Sequence, residues 1–352
     1  MDNLNVQSDA QISTLKELGG GSFAAKLLAN GMDIEKVRQN GTGGLTANAN
    51  TLTYEELRLV DKAVIDAARP RLTFISDCRE AGMIIPINGL EASYYTIDAA
   101  SDMNDAELAM RAGHKTNRDV TQLTRTNIPL PIIHKDFDLD ARMVNETRRM
   151  GRPLDLTNVA IASAKVAEKA EELCLVGTTY IIDGNTLYGV YGHTSINSVT
   201  LSTYGNWDAS AGNGALILAC VNAMIQASIT DNCYGPWGLY IPTAYASTLN
   251  KLIGTSASGV TVGEQLMNLI GFQNGPLAKA LKFVRPHAKL TANTICLVPL
   301  DPLQVQVIEG LQITVVPWSP DGGLTLSFKV MAIYVPVVRT AADGKTGIVK
   351  AA

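Results

Sequence analysis

The sequence contains little of what marks catalysis, metal binding or tight binding of nucleic acid. Its 352 residues include 4 histidines and 5 cysteines, and 29 Lys and Arg are outnumbered by 33 Asp and Glu, for a formal net charge of -4. A chain without excess positive charge has no overall electrostatic attraction for a phosphate backbone. We therefore expect nucleic acid to be contacted weakly and without sequence specificity.

Metal and redox motifs are missing as well. The cysteines form no C-x-x-C pair and no Cys/His group at zinc spacing, and no H-E-x-x-H or G-x-S-x-G motif accompanies the histidines. The positions concerned are Cys78, Cys174, Cys220, Cys233, Cys296, His114, His134, His193 and His287. The sequence therefore predicts no metal, no cofactor and no catalytic residue. It also predicts a reduced intracellular setting.

Long hydrophobic runs are absent too. No uninterrupted apolar stretch reaches the roughly 20 residues that a membrane-spanning helix needs. The N-terminal residues also lack the basic stretch followed by an apolar run that is typical of a signal peptide. We expect a soluble protein made in the cytoplasm, with no membrane partner. Because 46% of the residues are hydrophobic and 18% are charged, the chain has enough material for a sizeable core.

One acidic run resembles the start of a calcium loop. Asp136, Asp138 and Asp140 occupy alternate positions, as calcium ligands do. The loop then fails, because Ala141 stands where the turn glycine is required and Thr147 stands where the bidentate glutamate is required. The pattern is better explained as the acidic face of a strand.

Residues 1–52 differ from the rest of the chain. Short helix-like pieces are separated by glycine clusters at 19–21 and 41–44, which weaken any compact fold. We interpret this segment as an arm that lies on another surface. From Thr53 a helix is predicted, because Thr53 and Glu56 fit a capping box and apolar residues recur at helical spacing until Pro70.

Residues 90–139 are predicted to form an extended hairpin. Candidate strands at 92–97 and 120–133 are joined by a long polar connection, which is uncommon in compact domains and suggests a projecting functional loop. The hairpin residues expected to act in assembly are Tyr94, Tyr95, Lys115, Leu123 and Ile128.

Residues 156–176 give the strongest helix signal in the chain. Small and apolar residues form one stripe, for which Leu156, Val159, Val166 and Leu173 are the predicted core positions. The polar face is expected to carry Lys165, Glu168, Lys169, Glu171 and Glu172, and Gly177 is expected to end the helix.

The remainder mixes helices and strands. A helix at 215–229, a strand at 237–241 and a helix at 243–252 indicate a separate α/β region. Strands are then predicted at 294–298, 305–308, 313–316 and 324–338, with a turn at 321–323. No internal repeat or heptad run supports a solenoid or a coiled coil.

Several segments, in this order, carry a family resemblance. The stretch FDLDAR (137–142), followed by Gly151, the helix from Leu156 and the LVG at 175–177, resembles the passage from hairpin to spine helix in Hong Kong 97-type capsid proteins. The segment LYGVYGH (187–193) with Trp207 is similar to the one that follows that helix in many phage capsid proteins. GPWGLYIPTAY (235–245) and the closing strands resemble parts of encapsulins.

The resemblance implies an α+β fold of the Hong Kong 97 type. Its parts would be the N-terminal arm (1–52), a peripheral-domain helix and lead-in (53–89), the extended hairpin or E-loop (90–139), the peripheral domain with the spine helix (140–178), an axial domain (179–292), and returning strands with the C-terminal tail (293–352). Lys115 and Asn117 lie where some related shell proteins form an isopeptide cross-link, although two solvated loop residues are the simpler interpretation.

The implied function is structural. The first hypothesis is a tailed-phage major capsid protein, whose pentamers and hexamers form an icosahedral shell around double-stranded DNA with possible scaffolding, portal and decoration partners. The second is an encapsulin shell enclosing a cargo enzyme, which the additional arm disfavours. The third is a soluble α/β enzyme with a site assembled from scattered residues.

Overall fold

The structure is a computed structural model, and it describes residues 54–103, 106, 108, 110, 120–150, 156–182, 184–205, 207, 214–251, 260–269, 279–318, 325–341 and 344–352. The α-helices are α1 (Tyr54–Ala68), α2 (Thr73–Glu80), α3 (Ala141–Arg149), α4 (Thr157–Leu175), α5 (Gly214–Thr230) and α6 (Val262–Met267). The 3-10 helices are Arg69–Arg71, Leu201–Tyr204 and Thr243–Asn250. The arm at 1–52 and the capping residue Thr53 lie outside the described residues.

The strands build two larger sheets and two ribbons. They are β1 (Ile84–Pro86), β2 (Tyr94–Ala100), β3 (Leu123–Pro129), β4 (Ile133–Asp140), β5 (Gly177–Ile182), β6 (Asn185–Tyr188), β7 (Asn197–Val199), β8 (Trp237–Pro242), β9 (Leu281–His287), β10 (Ile295–Pro299), β11 (Val305–Trp318), β12 (Thr325–Val338) and β13 (Val349–Ala351). One sheet has the order β1-β11-β12-β4 and the other β7-β13-β10-β8-β9, while β2 pairs with β3 and β5 with β6.

By tertiary contacts the chain divides into two compact units. Among the described residues, the smaller unit contains 54–57, 138–150, 317–318 and 325–328. The larger unit contains residues 58–137, 155–316 and 329–352. The hairpin of β2 and β3, helix α4 and the buried clusters discussed below lie within the larger unit.

Two large clusters of buried side chains pack against the sheets. The first involves both sheets, because side chains of α2 and α4 are buried together with Val307 and Tyr334 of the four-stranded sheet and with Cys296 and Val298 of the five-stranded sheet. In the second, α5 and α6 are buried together with β8 and β10, around Trp207, Trp237 and Tyr245. In the described part of the chain, no helix is both long enough and apolar enough to cross a membrane.

Helix α4 ends where two glycines approach each other. Gly177 has φ +93, and a Cβ built there would lie 2.3 Å from the backbone nitrogen of Gly189. The close approach lets Val190 N donate to Cys174 O at 3.0 Å and Tyr191 N donate to Leu175 O at 2.7 Å. The segment 187–193, which carried part of the family resemblance, therefore satisfies carbonyl groups that the end of a helix leaves free.

The second strand of the predicted hairpin is two strands. The prediction placed one strand at 120–133, whereas the structure has β3 ending at Pro129 and β4 beginning at Ile133. Pro129 and Pro131 cannot donate to a strand ladder, so the chain leaves the ribbon between them. β4 then joins the four-stranded sheet instead of the hairpin.

Other elements also differ from prediction. The strands expected at 305–308 and 313–316 are one strand, Val305–Trp318, because Gly310 lies against Gly89 and Ile333 inside the sheet and makes no turn. The predicted helix at 243–252 is a 3-10 helix, Thr243–Asn250. Helices α2 and α6 and strands β1, β5, β6, β7, β9 and β13 were not predicted.

Candidate assembly surface

The hairpin is a regular antiparallel ribbon. Its seven pairs run from Tyr94 opposite Pro129 to Ala100 opposite Leu123. Ser101 N donates to Gln122 O at 2.9 Å, so the ladder continues past the last pair. On one face Tyr95, Ile97 and Ile128 pack partly buried against a cluster that includes Leu173 and Val335. This packing anchors the base of the ribbon on its own subunit.

The opposite face of the ribbon is polar and bonded within itself. Thr96 Oγ1 donates to Asn127 Oδ1 at 2.9 Å, and Arg125 Nε pairs with Asp98 Oδ1 at 2.9 Å. The ion pair is well exposed, so its contribution to stability is small. Cross-strand pairs of this kind favour the observed register.

Large apolar side chains are exposed toward the tip of the hairpin. Their relative exposures are Met103 54%, Leu108 105%, Met110 105%, Val120 78% and Leu123 71%. A single exposed apolar residue needs no explanation, whereas a group of them toward one end of an element is a candidate interaction surface.

The predicted hairpin residues occupy different environments. Tyr94 and Leu123 are exposed, at 38% and 71%, while Tyr95 and Ile128 are half-buried against their own chain. Lys115 and Asn117 lie outside the described residues. The assembly role of these residues stays a prediction, and Leu123 is the most exposed of those that the structure describes.

The predicted core positions of the spine helix lie mostly inside. Val159, Val166 and Leu173 are buried, whereas Leu156 precedes the first helical residue and is half-buried. The buried surface of α4 is wider than the predicted stripe, because Ala162, Ala164 and Glu171 are buried as well. The expectation that Glu171 belongs to the polar face is wrong.

Glu171 caps a different helix. Helix α2 begins after Leu72, whose side chain makes no capping hydrogen bond. The carboxylate of Glu171 caps this helix instead, because Phe74 N donates to Oε2 and Ile75 N donates to Oε1, each at 3.1 Å. His287 Nε2 contacts Oε2 at 3.0 Å, and His287 Nδ1 accepts from Lys289 N, which places the proton of the neutral ring on Nε2. The carboxylate thus satisfies donors of the first turn that the sequence leaves uncapped.

A second buried carboxylate stands beside it. Asp77 is 2% exposed, and its Oδ2 accepts from Tyr240 Oη at 2.9 Å while Oδ1 lies 2.9 Å from Arg285 Nη1. Burial raises the pKa of Asp77 even though the hydrogen bond from Tyr240 and the charge of Arg285 oppose the shift. No sequence pattern indicated either carboxylate, because their partners are distant in the chain. Glu171 binds residues of α2, 96 and 97 positions earlier, and His287, 116 positions later, while Asp77 binds residues of β8 and β9.

A groove runs between the hairpin and the ribbon of β5 and β6. Its volume is about 610 Å³, and its walls include Ile97, Asn127, His193, Leu303 and Arg339.

Among the described residues, no group of three or more His, Cys, Asp or Glu side chains is arranged to hold a metal ion. All five cysteines are free thiols and buried. Burial raises the pKa of the Cys78 and Cys174 thiols well above the usual value, which disfavours the reactive thiolate.

Solved structures similar to this chain are particle and capsid proteins. A virus-like particle protein from Pyrococcus furiosus superposes with a TM-score of 0.59 at 16% identity, over 85% of this chain and 99% of that one. The capsid protein of Myoviridae phage XM1 gives 0.58 at 13% identity, over 80% and 91%. The capsid of a native GTA particle gives 0.52 at 13% identity, over 78% and 88%. At such identities the similarity establishes the fold.

The fold prediction is confirmed, since the mixed helices and strands match capsid proteins of the Hong Kong 97 type. Residues 46–351 match the family of unknown function DUF6260. That match spans most of the chain, so the protein belongs to the DUF6260 family and has the Hong Kong 97-type capsid fold.

Proposed function

We propose that this protein is a major capsid protein, a structural subunit without enzymatic activity that assembles into the icosahedral shell of a tailed phage. The observation that carries the proposal is the shared fold over 80% of this chain and 91% of the phage XM1 capsid protein. The projecting hairpin with its exposed apolar side chains supports it, because a shell subunit needs surfaces that its own fold does not cover.

The remaining parts of the proposal follow from assembly. Pentamers and hexamers of the chain would enclose double-stranded DNA, and the shell would be the location of the protein in the virion. The net charge of -4 agrees with weak contact to DNA that is independent of its sequence. Residues 1–52 would act as an arm on a neighbouring subunit, and scaffolding, portal or decoration proteins would be further partners.

A nanocompartment shell is the second candidate function. It is favoured by the similarity to the Pyrococcus furiosus virus-like particle protein, of which 99% is covered.

Electron microscopy of the expressed protein tests the proposal. We expect closed particles, or pentamers and hexamers that elute early in gel filtration. A protein that stays a monomer or small oligomer under all assembly conditions would contradict the shell function. Particle diameter and the presence of packaged DNA in particles from infected cells separate the phage capsid from the nanocompartment.

Shortening the hairpin tip tests its role in assembly. Replacing residues 100–116 by a tight turn containing glycine removes Met103, Leu108 and Met110 but leaves the anchored base of the ribbon. We expect the circular dichroism of the subunit to be preserved and the thermal stability of the shells to fall, because the same contact recurs at each lattice position. Shells that withstand heat as well as the parent would show that the tip is a surface loop without an assembly role.

A further inference from the structure

Strand β13 lies inside the five-stranded sheet, although it follows the other strands of that sheet in the chain. It pairs in parallel with β7, from Val349 opposite Asn197 to Ala351 opposite Val199, and antiparallel with β10. In the sheet as described, β13 is the sole neighbour of β7. Without β13, the facing edges of β7 and β10 would present unpaired N–H and C=O groups, and such edges are templates for strand addition.

The closing segment, residues 345–352, is held by side chains as well as by strand pairing. Gly347 N donates to Gln304 Oε1 at 3.0 Å, and Ser228 Oγ donates to Gly347 O at 2.7 Å. Thr346 Oγ1 donates to Ser195 O at 3.0 Å. Because these bonds reach three separate parts of the chain, they fix the register of the segment between its two neighbouring strands.

The position of Gly347 admits glycine alone. A Cβ built there would lie 2.4 Å from Cys233 Cβ, and Cys233 is buried. A larger residue would therefore displace either the closing segment or the packed side chain against which it lies. The site thus discriminates between peptide segments at a single position.

The apolar side chains of the closing segment enter both large clusters of buried side chains. Ile348 belongs to the first cluster, whereas Val349 and Ala351 belong to the second, and each of the three is 0% exposed. Lys345 Nζ lies 3.4 Å from Oδ1 of Asp231, whose side chain is 4% exposed. Loss of the segment would open both clusters to water and leave a buried carboxylate without this cation.

We propose that the space between β7 and β10 is a strand-acceptor site whose ligand is the closing segment, and that a subunit becomes competent to assemble only when this site is filled. The assembly half of the inference rests on the proposed shell function. Because the closing segment follows every other strand of the sheet, chains whose synthesis stops early keep the site open and stay out of the shell. The ligand is an extended peptide that has glycine at 347 and buried apolar residues at 348, 349 and 351.

A nicked full-length subunit tests the acceptor site. A recognition sequence for a specific protease is inserted between Ala341 and Gly344, both of which are exposed, and the folded protein is cut there. Native mass spectrometry should show the closing segment still bound. After the segment has been washed out in mild denaturant, a synthetic peptide of residues 345–352 should rebind and restore the hydrogen-exchange protection of β7 and β10.

Two altered peptides test the specificity of the site. A peptide with Gly347→Val should bind at least roughly tenfold more weakly than the parent peptide, because its side chain meets Cys233. Ala352→Val is the matched control, because Ala352 is exposed, and this peptide should bind like the parent. Equal binding of the Gly347→Val peptide, or no binding of the parent peptide, would overturn the acceptor site.

Gly347→Val in the uncut chain covers the case in which stripped subunits do not recover. We expect β7 and β10 to lose hydrogen-exchange protection while the sheet of β1, β11, β12 and β4 keeps it. Uniform loss of protection in both sheets would show that the segment is an ordinary core element, and unchanged protection would show that the site does not select glycine. Either result contradicts the inference.

The same material tests the link to assembly. Stripped subunits should form no particles, and the parent peptide should restore particle formation. Particles that form equally well without the peptide would overturn the assembly half of the inference and leave the acceptor site intact. If uncut subunits form neither particles nor capsomers, the proposed shell function fails instead, whereas peptide binding needs no shell and still decides the acceptor site.

Discussion

Val166→Asp is expected to abolish soluble, folded protein. Val166 is 2% exposed and is buried together with residues of α2 and of strands β11 and β12. An aspartate there has neither water nor a cation to pair with, and we expect the free energy of unfolding to fall by more than about 4 kcal/mol. Since native domains are stable by only about 5–15 kcal/mol, a loss of this size leaves little folded protein.

Soluble yield and circular dichroism of the full chain measure this effect. Ile161→Asp is the matched control, because Ile161 lies on the same helix and is 55% exposed. The control should fold, with its carboxylate one turn from Lys165. If Val166→Asp gave normal particles, the buried stripe of α4 would not be a core element.

Glu171→Ala is expected to destabilise the subunit nearly as strongly. The substitution leaves Phe74 N and Ile75 N without the carboxylate that accepts from both, and it removes the partner of His287 Nε2. Removing one side of a buried, hydrogen-bonded charged group costs roughly 3–5 kcal/mol. We expect a marked fall in the thermal unfolding midpoint and in soluble yield.

Two further variants separate capping from charge. Glu171→Gln keeps the shape but has a single acceptor oxygen, so one of the two backbone donors should lose its partner at a cost of about 1–3 kcal/mol. Glu168 is also a glutamate of α4, almost one turn before Glu171, and serves as the control. Glu168→Gln alters the exposed pairs with Arg71 and Lys165 and should change stability by about 1 kcal/mol or less. Equal midpoints for Glu168→Gln and Glu171→Ala would refute the capping role.

Sequence patterns predicted part of the hairpin's structure. Its existence follows from two strand-like segments separated by a connection too long for a compact domain. The structure alone distinguishes exposed Tyr94 and Leu123 from half-buried Tyr95 and Ile128. The end of its second strand was misplaced, because periodicity does not say which sheet a strand joins. Pro129 and Pro131 were the local sign of that boundary.

The groove could not be predicted in the same way. Its walls come from the hairpin, from the β6 segment and from the segments around Leu303 and Arg339, which are dispersed between Ile97 and Thr340. No spacing rule links such positions.

The sequence by itself determined the spine helix with its end at Gly177, the presence of a hairpin before it, and the absence of recognisable metal and catalytic motifs, because these depend on local periodicity and residue chemistry. Tertiary structure alone decided that Glu171 faces inward, that β4 leaves the hairpin, and that β13 lies inside the five-stranded sheet beside β10. Each of these depends on a partner distant in the chain. Glu171 can be buried because two uncapped backbone N–H groups of another helix donate to its carboxylate. The residues next to Glu171 in the sequence give no indication of these hydrogen bonds.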